Sequence, residues 1–335
     1  MKSKLLTSPV STAIAIACIA FASSARADVE DKITKSFQVT PGGQLRVEVD
    51  RGSIEIKTSD RESVDIEVLR KARGSKVEAE KTLGHHAVTM TQDGDKIEVR
   101  AEYQGAKSFK WLRSSPQLNV SYQITIPQKF NVNLRTAGGS VKVDDLTGTV
   151  QVASSGGSLS FKGIEGPLSG HTSGGGITVA RCTGNVNLKT SGGGLQLGEI
   201  QGDVDARTSG GSIRVDKLTG KSFLKSSGGG IHVSEIKGQI EAFTSGGGIT
   251  ASLIAQPTGD CTFKTSGGSI TVALDAKGSV DVDARTSGGR VSCDLPVTIV
   301  IQGGQNKNEL QGKINGGGPI IVAHTSGGNV RLQKK

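Results

Sequence analysis

The sequence has few aromatic residues and few cysteines. Its 335 residues include one Trp, two Tyr, eight Phe and four Cys. A chain with so few rings cannot fill a large conventional core with them, so its core must be built from small aliphatic side chains. No stretch after the N-terminus is long and apolar enough to cross a bilayer as a helix. Glycine, in contrast, is abundant, with 48 residues.

The N-terminus has the organisation of a secretory signal peptide. Lys2 and Lys4 precede an apolar run over residues 13–22, and small residues follow, ending in Ala25-Arg26-Ala27. This arrangement predicts a signal peptide over residues 1–27 and export to the periplasm, the cell surface or the extracellular space. Cys18 is a poor lipidation candidate, because Ala15-Ile16-Ala17 is a weak lipobox and the apolar segment continues beyond the cysteine.

The charge of the chain favours anionic partners without requiring nucleic acid. Cleavage after Ala27 would remove Lys2, Lys4 and Arg26 and no acidic residue, which lowers the net charge from +9 to +6. This is a mild excess over about three hundred residues, and it suits an anionic surface. We expect no nucleic-acid partner and no transmembrane segment in the mature chain.

An internal repeat dominates the sequence after residue 135. A Thr/Ser-x-Gly-Gly motif recurs every 18 residues seven times and then at a spacing of 21. A variant occupies residues 314–317, and a last copy follows. Repeats of this kind predict one stacked unit per copy. The copies begin at Thr136, Ser154, Thr172, Thr190, Thr208, Ser226, Thr244, Thr265, Thr286 and Thr325.

Apolar and polar residues alternate within each repeat. If the Thr or Ser is position 1, then positions 6, 8, 11, 15 and 17 are apolar in nearly every copy. Alternation is the period of a β-strand, and the fixed glycines mark turns. The pattern predicts an all-β fold, a β-solenoid or β-helix-like stack of about eleven rungs, each hydrogen-bonded to the next.

Residues 28–135 lack the repeat and are predicted to form a β-rich N-terminal cap, while residues 136–335 form the Gly-rich solenoid. A cap is expected because an open solenoid end exposes strand edges. At the other end, the basic tail 333–335 is the candidate for the same role. The cap should contain a short helix near residues 76–83 and strands at residues 36–39, 45–49, 53–57, 64–69, 96–101 and 120–126.

The chain resembles a bacterial family of "putative adhesins" built from β-strand repeats, a domain of unknown function. The resemblance covers nearly the whole mature chain. It is carried by the strand ending Tyr122-Gln-Ile-Thr-Ile-Pro127, by the Thr-Ser-Gly-Gly-Gly-Ile repeats, and by the segment Leu310-Gln-Gly-Lys-Ile-Asn-Gly-Gly-Gly-Pro319. It implies the solenoid fold and brings no catalytic residues. Some relatives look like parts of envelope-stress signalling systems.

No metal or cofactor site is expected. Glycine-rich calcium repeats need an aligned aspartate column, which is missing here, so folding should not depend on calcium. His85 and His86 are adjacent and would point to opposite faces of a strand. The remaining histidines, His171, His232 and His324, are expected at different places in the repeat, without metal-ligand spacing.

The cysteines and acidic pairs favour structural roles over catalysis. Cys182, Cys261 and Cys293 each replace an aliphatic residue in a different apolar column, which predicts buried free thiols, with one disulfide at most. The pairs Asp203/Asp205 and Asp281/Asp283 share two columns four repeats apart, roughly 19 Å, whereas glycosidase carboxylates lie about 5–10 Å apart. We interpret them as ladder acids that pair with neighbouring arginines, and we expect no enzymatic activity.

The strongest candidate site is the column just before each Thr or Ser, at position 18 of the repeat. Alternation turns this position outward, so stacking would align its basic residues about one strand spacing apart. Ala153, His171 and Phe243 interrupt the column. We call its six Lys and Arg residues the basic stripe: Arg135, Lys189, Arg207, Lys225, Lys264 and Arg285.

These features predict a non-catalytic exported protein of the cell envelope, acting as an adhesin-like, structural or binding protein. Its partner would be an anionic envelope polysaccharide on the basic stripe or another envelope protein, and it would be a monomer or associate end to end. Two alternatives remain. One is a ligand-sensing or regulatory partner in envelope-stress signalling, and the other is a polysaccharide-active enzyme.

Overall fold

A computed structural model describes residues 27–105, 117–298 and 307–335, and it shows an almost entirely β protein with one short helix. The predicted fold class, an all-β solenoid, is confirmed. Trp111 and Cys18 lie outside the described residues, as does most of the predicted signal peptide.

The central part of the solenoid is a stack of layers, most of them built from two strands. One strand of a layer leads up to the Thr or Ser of the motif, and the other begins after the glycines. The strands are β8 Asn131–Thr136, β9 Val141–Val143, β10 Leu146–Thr147, β11 Val150–Ser154, β12 Leu159–Glu165, β13 Leu168–Thr172, β14 Ile177–Thr183, β15 Val186–Thr190, β16 Leu195–Gln201, β17 Val204–Thr208, β18 Ile213–Ser226, β19 Ile231–Thr244, β20 Ile249–Leu253, β21 Cys261–Thr265 and β22 Ile270–Leu274.

From β8 to β19, neighbouring layers pair in parallel, with each residue opposite the residue 18 positions later. Leu168 lies opposite Val186, and Val186 lies opposite Val204. Because the register never slips over these layers, one repeat position forms one column along the stack. The apolar columns of positions 6, 8, 11, 15 and 17 face the core and are buried in almost every layer.

The three-residue lengthening of the later repeats shifts one core position. Ile254 was expected in the column of position 11, but Leu253 lies opposite Ile236 there. Leu253 is buried and Ile254 is only half-buried. The register shifts by one residue between Val233 and Ile236. The added residues lie after Leu253, because Glu241 pairs with Thr262, 21 positions later.

A buried hydroxyl explains why each motif begins with Thr or Ser. In the layer of Thr190, the side-chain Oγ1 donates a 2.7 Å hydrogen bond to the carbonyl of Gly175 in the preceding layer. The same oxygen accepts one from the backbone N–H of Gly193 in its own layer at 3.4 Å. One hydroxyl therefore closes the turn and joins two layers, which satisfies backbone groups that would otherwise be buried without partners.

The second glycine of each motif is required by close approach between layers. A Cβ on Gly193 would lie 2.3 Å from the carbonyl oxygen of Gly175, a distance that no side chain tolerates. The other recurring turn, before position 14, uses a different property of glycine, because Gly184 adopts a φ of 148°. The two glycine columns thus meet a steric and a conformational requirement, respectively.

The N-terminal region contributes layers as well as a cap. Its elements are β1 Ala27–Gln38, β2 Gln44–Val49, β3 Ser53–Ser59, β4 Ser63–Gly74, α1 Lys76–Gly84, β5 His86–Asp93, β6 Lys96–Tyr103 and β7 Gln117–Pro127. Five of the six predicted strand segments fall within these strands, the segment 36–39 extends one residue beyond β1, and the predicted helix is α1.

Strands β2 and β3 form a layer of the solenoid, although the cap was predicted to extend to residue 135. They pair in parallel with β8 and β9 on one side and with β6 and β7 on the other. The Thr/Ser-x-Gly-Gly motif is missing from this layer, so the repeat pattern does not reveal it. Gly52 provides the equivalent turn, and its carbonyl accepts the hydrogen bond of Thr136.

Antiparallel strands cover the outer layer at the N-terminal end. Strand β5 pairs with β6, β4 pairs with β7, and β1 pairs with β4. Helix α1 begins with a capping box in which Ser75 and Glu78 exchange hydrogen bonds, and it buries Ala79 and Leu83. These elements perform the capping role that an exposed strand edge requires.

The C-terminal layers are not stacked in chain order. The last elements are β23 Val280–Thr286, β24 Val291–Cys293, β25 Glu309–Ile314, β26 Ile320–Thr325 and β27 Val330–Lys334. Strand β26 pairs in parallel with β21 on one side and β23 on the other, and β27 lies between β22 and β24. The last layer in the sequence is therefore the second to last layer in space.

Three expectations about this end of the solenoid were wrong. The tail 333–335 does not cap the stack. Gln333 and Lys334 are part of β27, where they pair with β22 in an inner layer. The variant motif at 314–317 is not a rung but a turn, in which Asn315 has a φ of 48°. Asp203/Asp205 and Asp281/Asp283 are five layers apart rather than four, roughly 24 Å.

In the described residues, ten layers begin with the motif and two N-terminal layers, β2–β3 and β6–β7, stand before them. Strand β25 pairs antiparallel with β23 and covers that edge of the outermost C-terminal layer. The described residues contain no helix long and apolar enough to span a membrane.

Candidate functional site

The six residues of the basic stripe lie in one outward column, as their spacing predicted. Parallel pairing aligns Lys189 with Arg207, Arg207 with Lys225, and Lys225 with Phe243. All six side chains are exposed, while the residues on either side of them in each strand are buried. The strand alternation that packs Ala206 and Thr208 inward therefore holds Arg207 outward.

Two histidines belong to the same column, contrary to the expectation that they fall at different places. His171 lies opposite Lys189, and His324 lies between Lys264 and Arg285 because its layer is inserted there. His324 directly precedes Thr325, so the repeat alignment contained the signal for its column, and only its place between Lys264 and Arg285 was not predictable. The alignment itself contained the signal for His171, which directly precedes Thr172.

Arg207 and Arg285 are neutralised within their own strands. Arg207 donates hydrogen bonds of 2.7 and 2.8 Å to the two carboxylate oxygens of Asp205. Arg285 donates one of 2.7 Å to Asp283 and lies 3.3 Å from Glu309. These are the arginine pairings predicted for the ladder acids, and they hold for Asp205 and Asp283. Asp203 instead accepts a hydrogen bond from the backbone N–H of Lys221, and the buried Oδ1 of Asp281 has no hydrogen-bond partner in the described residues.

The pKa values follow these contacts. The hydrogen bond to Asp205 raises the pKa of Arg207, and the hydrogen bond to Asp283 raises that of Arg285. Burial opposes ionisation of Asp283, but the hydrogen bond from Arg285 and the proximity of His324 outweigh it, so the pKa of Asp283 is lowered. His324 Nε2 lies 3.1 Å from this carboxylate.

Lys189, Lys225 and Lys264 differ from the two arginines. Within the described ranges, no carboxylate lies at ion-pair distance from any of these three ammonium groups. Their charge is consequently available to a ligand, whereas that of Arg207 is already shared with Asp205.

Two outward phenylalanines lie in the middle of the same face. The rings of Phe223 and Phe243 are 5.6 Å apart, and the Arg207 guanidinium lies 4.6 Å from the centre of the Phe223 ring. Both phenylalanines are half-buried. Phe243 lies between Lys225 and Lys264 in the column, and Phe223 lies beside it in the neighbouring column. Together they form an apolar platform with the geometry of an aromatic pair and a cation–π contact.

A groove of about 690 Å³ runs beside the stripe across several layers. It follows positions 14 to 16 of the repeat, one outward column away from the basic stripe. Its outward lining is mostly polar, with amides, hydroxyls, carboxylates and the Lys221 ammonium around one ring. These side chains include Gln151, Ser169, Asn187, Asp205, Phe223 and Glu241.

A second hollow, of about 360 Å³, lies on another face, and most of the charged side chains that line it form ion pairs. Arg181 contacts Asp145 at 3.2 Å, and Lys217 contacts Glu199 at 2.7 Å. Because these groups are mutually satisfied, they form an ion-pair ladder along the stack and leave little charge for a ligand.

A buried polar cluster lies far from the stripe in chain order, between the N-terminal layers and the cap. His86 Nε2 is 3.9 Å from Asp50 Oδ1, and neither atom has a hydrogen-bond partner within the described part of the chain. The hydroxyl of the fully buried Tyr122 also lacks one. Burial lowers the pKa of His86, and Asp50 opposes this effect.

The three remaining cysteines are free thiols. Cys182 and Cys261 are buried in the core columns, as predicted. Cys293 is only half-buried, since strand β24 lies in the outermost layer, where one side of the column lacks a neighbour. Over the described ranges, no group of three His, Cys, Asp or Glu side chains is arranged to hold a metal ion.

The fold and this face define a parallel β-solenoid with an aligned charged column and an adjoining groove. Residues 43–333 match the family described as Toastrack DUF4097, so the chain belongs to this family. No curated protein matches the sequence.

Several solved structures are similar to this chain. One is a "putative cell adhesion protein" from Clostridium sporogenes, with 12% identity and a TM-score of 0.26 over 92% of this chain and 100% of that chain. Another is a "putative adhesin" from Parabacteroides merdae, with 11% identity and a TM-score of 0.40 over 91% and 96%. A "putative lipid binding protein" from Parabacteroides distasonis has 12% identity and a TM-score of 0.34 over 91% and 97%. At these values the likenesses carry no argument about what this chain binds.

Proposed function

We propose that this protein is an exported, non-catalytic binding protein of the cell envelope that contacts an anionic polysaccharide through the basic stripe. The observation that carries the proposal is the alignment of six Lys and Arg residues in one exposed column. The column extends from the layer of Arg135 to the layer of Arg285, and all six of its basic side chains are exposed.

A linear polyanion suits this column better than a compact ligand. Neighbouring layers are about 4.8 Å apart, so successive basic side chains can contact successive units of an extended chain. Each contact between exposed charges is weak and is screened by salt. Binding strength must therefore come from many contacts along one polymer, and it must fall as ionic strength rises.

The decisive experiment is co-sedimentation of the mature protein with purified envelope and acidic polysaccharide fractions at low and high salt. The test variant changes Lys189, Arg207, Lys225 and Lys264 to Glu. A matched control changes four exposed basic residues away from the stripe to Glu, which alters the net charge equally. These are Lys162, Arg214, Lys237 and Lys277.

We expect the wild-type protein and the control to sediment with the polysaccharide at low salt, and the stripe variant to stay in solution. Binding by the stripe variant at low salt would contradict the proposal. Failure of the wild-type protein to bind any fraction would also contradict it, and would favour a regulatory role in envelope-stress signalling. Fractionation of the producing cells tests the proposed export separately.

A further inference from the structure

We infer that the stripe and the groove together recognise an acidic polysaccharide in which charged and uncharged sugars alternate. The inference rests on the proposed function and specifies the ligand of that same surface. It follows from the spacing of the free charges, from the aromatic platform between them, and from the polar lining of the groove.

The free cations occur in every second layer of the central stripe. Lys189, Lys225 and Lys264 are two layers apart from one another, roughly 10 Å, and none has an ion pair in the described structure. The layers between them contribute no free cation. Arg207 is held by Asp205, and the next intervening position is Phe243. An extended disaccharide has about this length, so a polymer with one acid per disaccharide would present a carboxylate to each free lysine.

Phe243 occupies the position that a neutral sugar would face. It lies between Lys225 and Lys264 in the column, and its ring contacts that of Phe223 at a centroid distance of 5.6 Å. The C–H face of a neutral sugar packs well on an aromatic ring. A carboxylate there would lose hydration without gaining a partner, which is unfavourable.

The groove adds hydrogen-bonding groups and excludes excess charge. Gln151, Ser169 and Asn187 present amide and hydroxyl groups that suit a ligand rich in hydroxyls. Glu241, which lines the groove and has no ion pair in the described structure, makes it unfavourable for a polymer charged at every unit, because like charges would lie close together.

The test compares two oligosaccharides of equal length by isothermal titration at constant ionic strength. One is a hyaluronan decasaccharide, in which glucuronate alternates with N-acetylglucosamine. The other is decagalacturonate, which carries an acid on every sugar. We expect the alternating oligosaccharide to bind at least about tenfold more tightly, despite its smaller charge.

Two variants test the proposed contacts. Phe243→Ala should weaken binding of the alternating oligosaccharide about five- to tenfold, as expected for the loss of one aromatic contact, and leave decagalacturonate unaffected. Alanine is compatible with the fold here because Ala153 occupies the same column. Lys225→Gln should weaken binding of both, while Arg214→Gln on another face serves as the control.

The outcomes separate this inference from the proposed function. Equal or tighter binding of decagalacturonate, or unchanged affinity of Phe243→Ala, would overturn the alternating-sugar inference and leave the polyanion stripe intact. If inorganic polyphosphate bound as tightly as the hyaluronan decasaccharide, the alternating-sugar inference would likewise be overturned. If neither oligosaccharide nor any envelope fraction binds, the proposed function itself fails.

Discussion

The buried cysteines show the effect of the apolar core on thiol ionisation. Burial raises the pKa of Cys182 and of Cys261 to about 11, so both remain protonated at neutral pH. The Cys182 thiol lies 3.6 Å from the carbonyl oxygen of Gly166. These thiols therefore behave as core side chains and are poor nucleophiles.

Replacement of Cys182 by alanine should have a small effect. Loss of one buried sulfur leaves a small cavity, and we expect the free energy of unfolding to fall by about 1–2 kcal/mol, with ligand binding unchanged. Denaturant unfolding measures the first quantity and co-sedimentation the second. Loss of binding at unchanged stability would show that the thiol has a functional role.

His86 should make stability depend on pH. Its folded-state pKa lies below the ordinary value of 6.5 because of burial, with Arg70 and Arg51 adding to the effect and Asp50 opposing it. As the pH falls below about 6.5, the unfolded state takes up a proton that the folded state resists, so stability declines.

The measurement compares wild type with His86→Gln by denaturant unfolding between about pH 7 and pH 5. We expect the wild type to lose more stability over this range, since the variant lacks the titrating group. Identical pH dependence in the two proteins would show that His86 does not contribute. His232→Gln is the control, because His232 lies in another part of the stack.

The turns of the layers depend on the buried Thr or Ser. Thr190→Val keeps the shape of the side chain but removes both hydrogen bonds, leaving the carbonyl of Gly175 without its side-chain donor. We expect a loss of about 1–3 kcal/mol in the free energy of unfolding. Ser191→Ala, at the neighbouring exposed position, should change it by less than about 0.5 kcal/mol. Similar losses in both variants would refute the structural role of the hydroxyl.

The glycines of the turns are not equivalent. Gly193→Ala would place a Cβ 2.3 Å from a backbone carbonyl, whereas a Cβ on Gly138 would meet no atom within 4 Å. We expect Gly193→Ala to lower the melting temperature strongly and Gly138→Ala to leave it nearly unchanged. Comparable melting temperatures would mean that the layers can separate enough to admit a side chain.

The order of layers is a property of the whole molecule that can be tested by deletion. Removal of residues 320–335 takes away β26 and β27, which separate the layer of β23 and β24 from that of β21 and β22. We therefore expect residues 280–293 to lose protection from hydrogen exchange, although they precede the deletion in sequence. Unchanged protection there would indicate stacking in chain order.

The repeats made much of the fold predictable from sequence. The regular 18-residue spacing fixed the core columns and the outward position of Lys189, Arg207 and Lys225, because parallel in-register pairing converts spacing directly into alignment. The insertion of β26 and β27 was not predictable, since Thr325 carries the same motif as Thr286 and local pattern does not encode which layer a repeat joins.

Parts of the site depend on information that a single column does not contain. The pairing of Asp205 with Arg207 could be expected from their i, i+2 spacing, but the freedom of Lys225 and Lys264 required the positions of all neighbouring carboxylates. The groove arises from the course of the chain after the glycine turn, which apolar periodicity does not describe. The cluster of Asp50, His86 and Tyr122 joins three elements that show no common motif.

The inserted terminal layer also determines how the molecule responds to force. A chain tethered at its C-terminus and pulled would load β27, which is hydrogen-bonded to β22 on one side and to β24 on the other. Because the loaded strand has partners on both sides, it must slide out against two ladders instead of peeling from a free edge. If the proposed polymer is bound, we therefore expect a pulling force to separate it from the basic stripe before it extracts β27 from the solenoid.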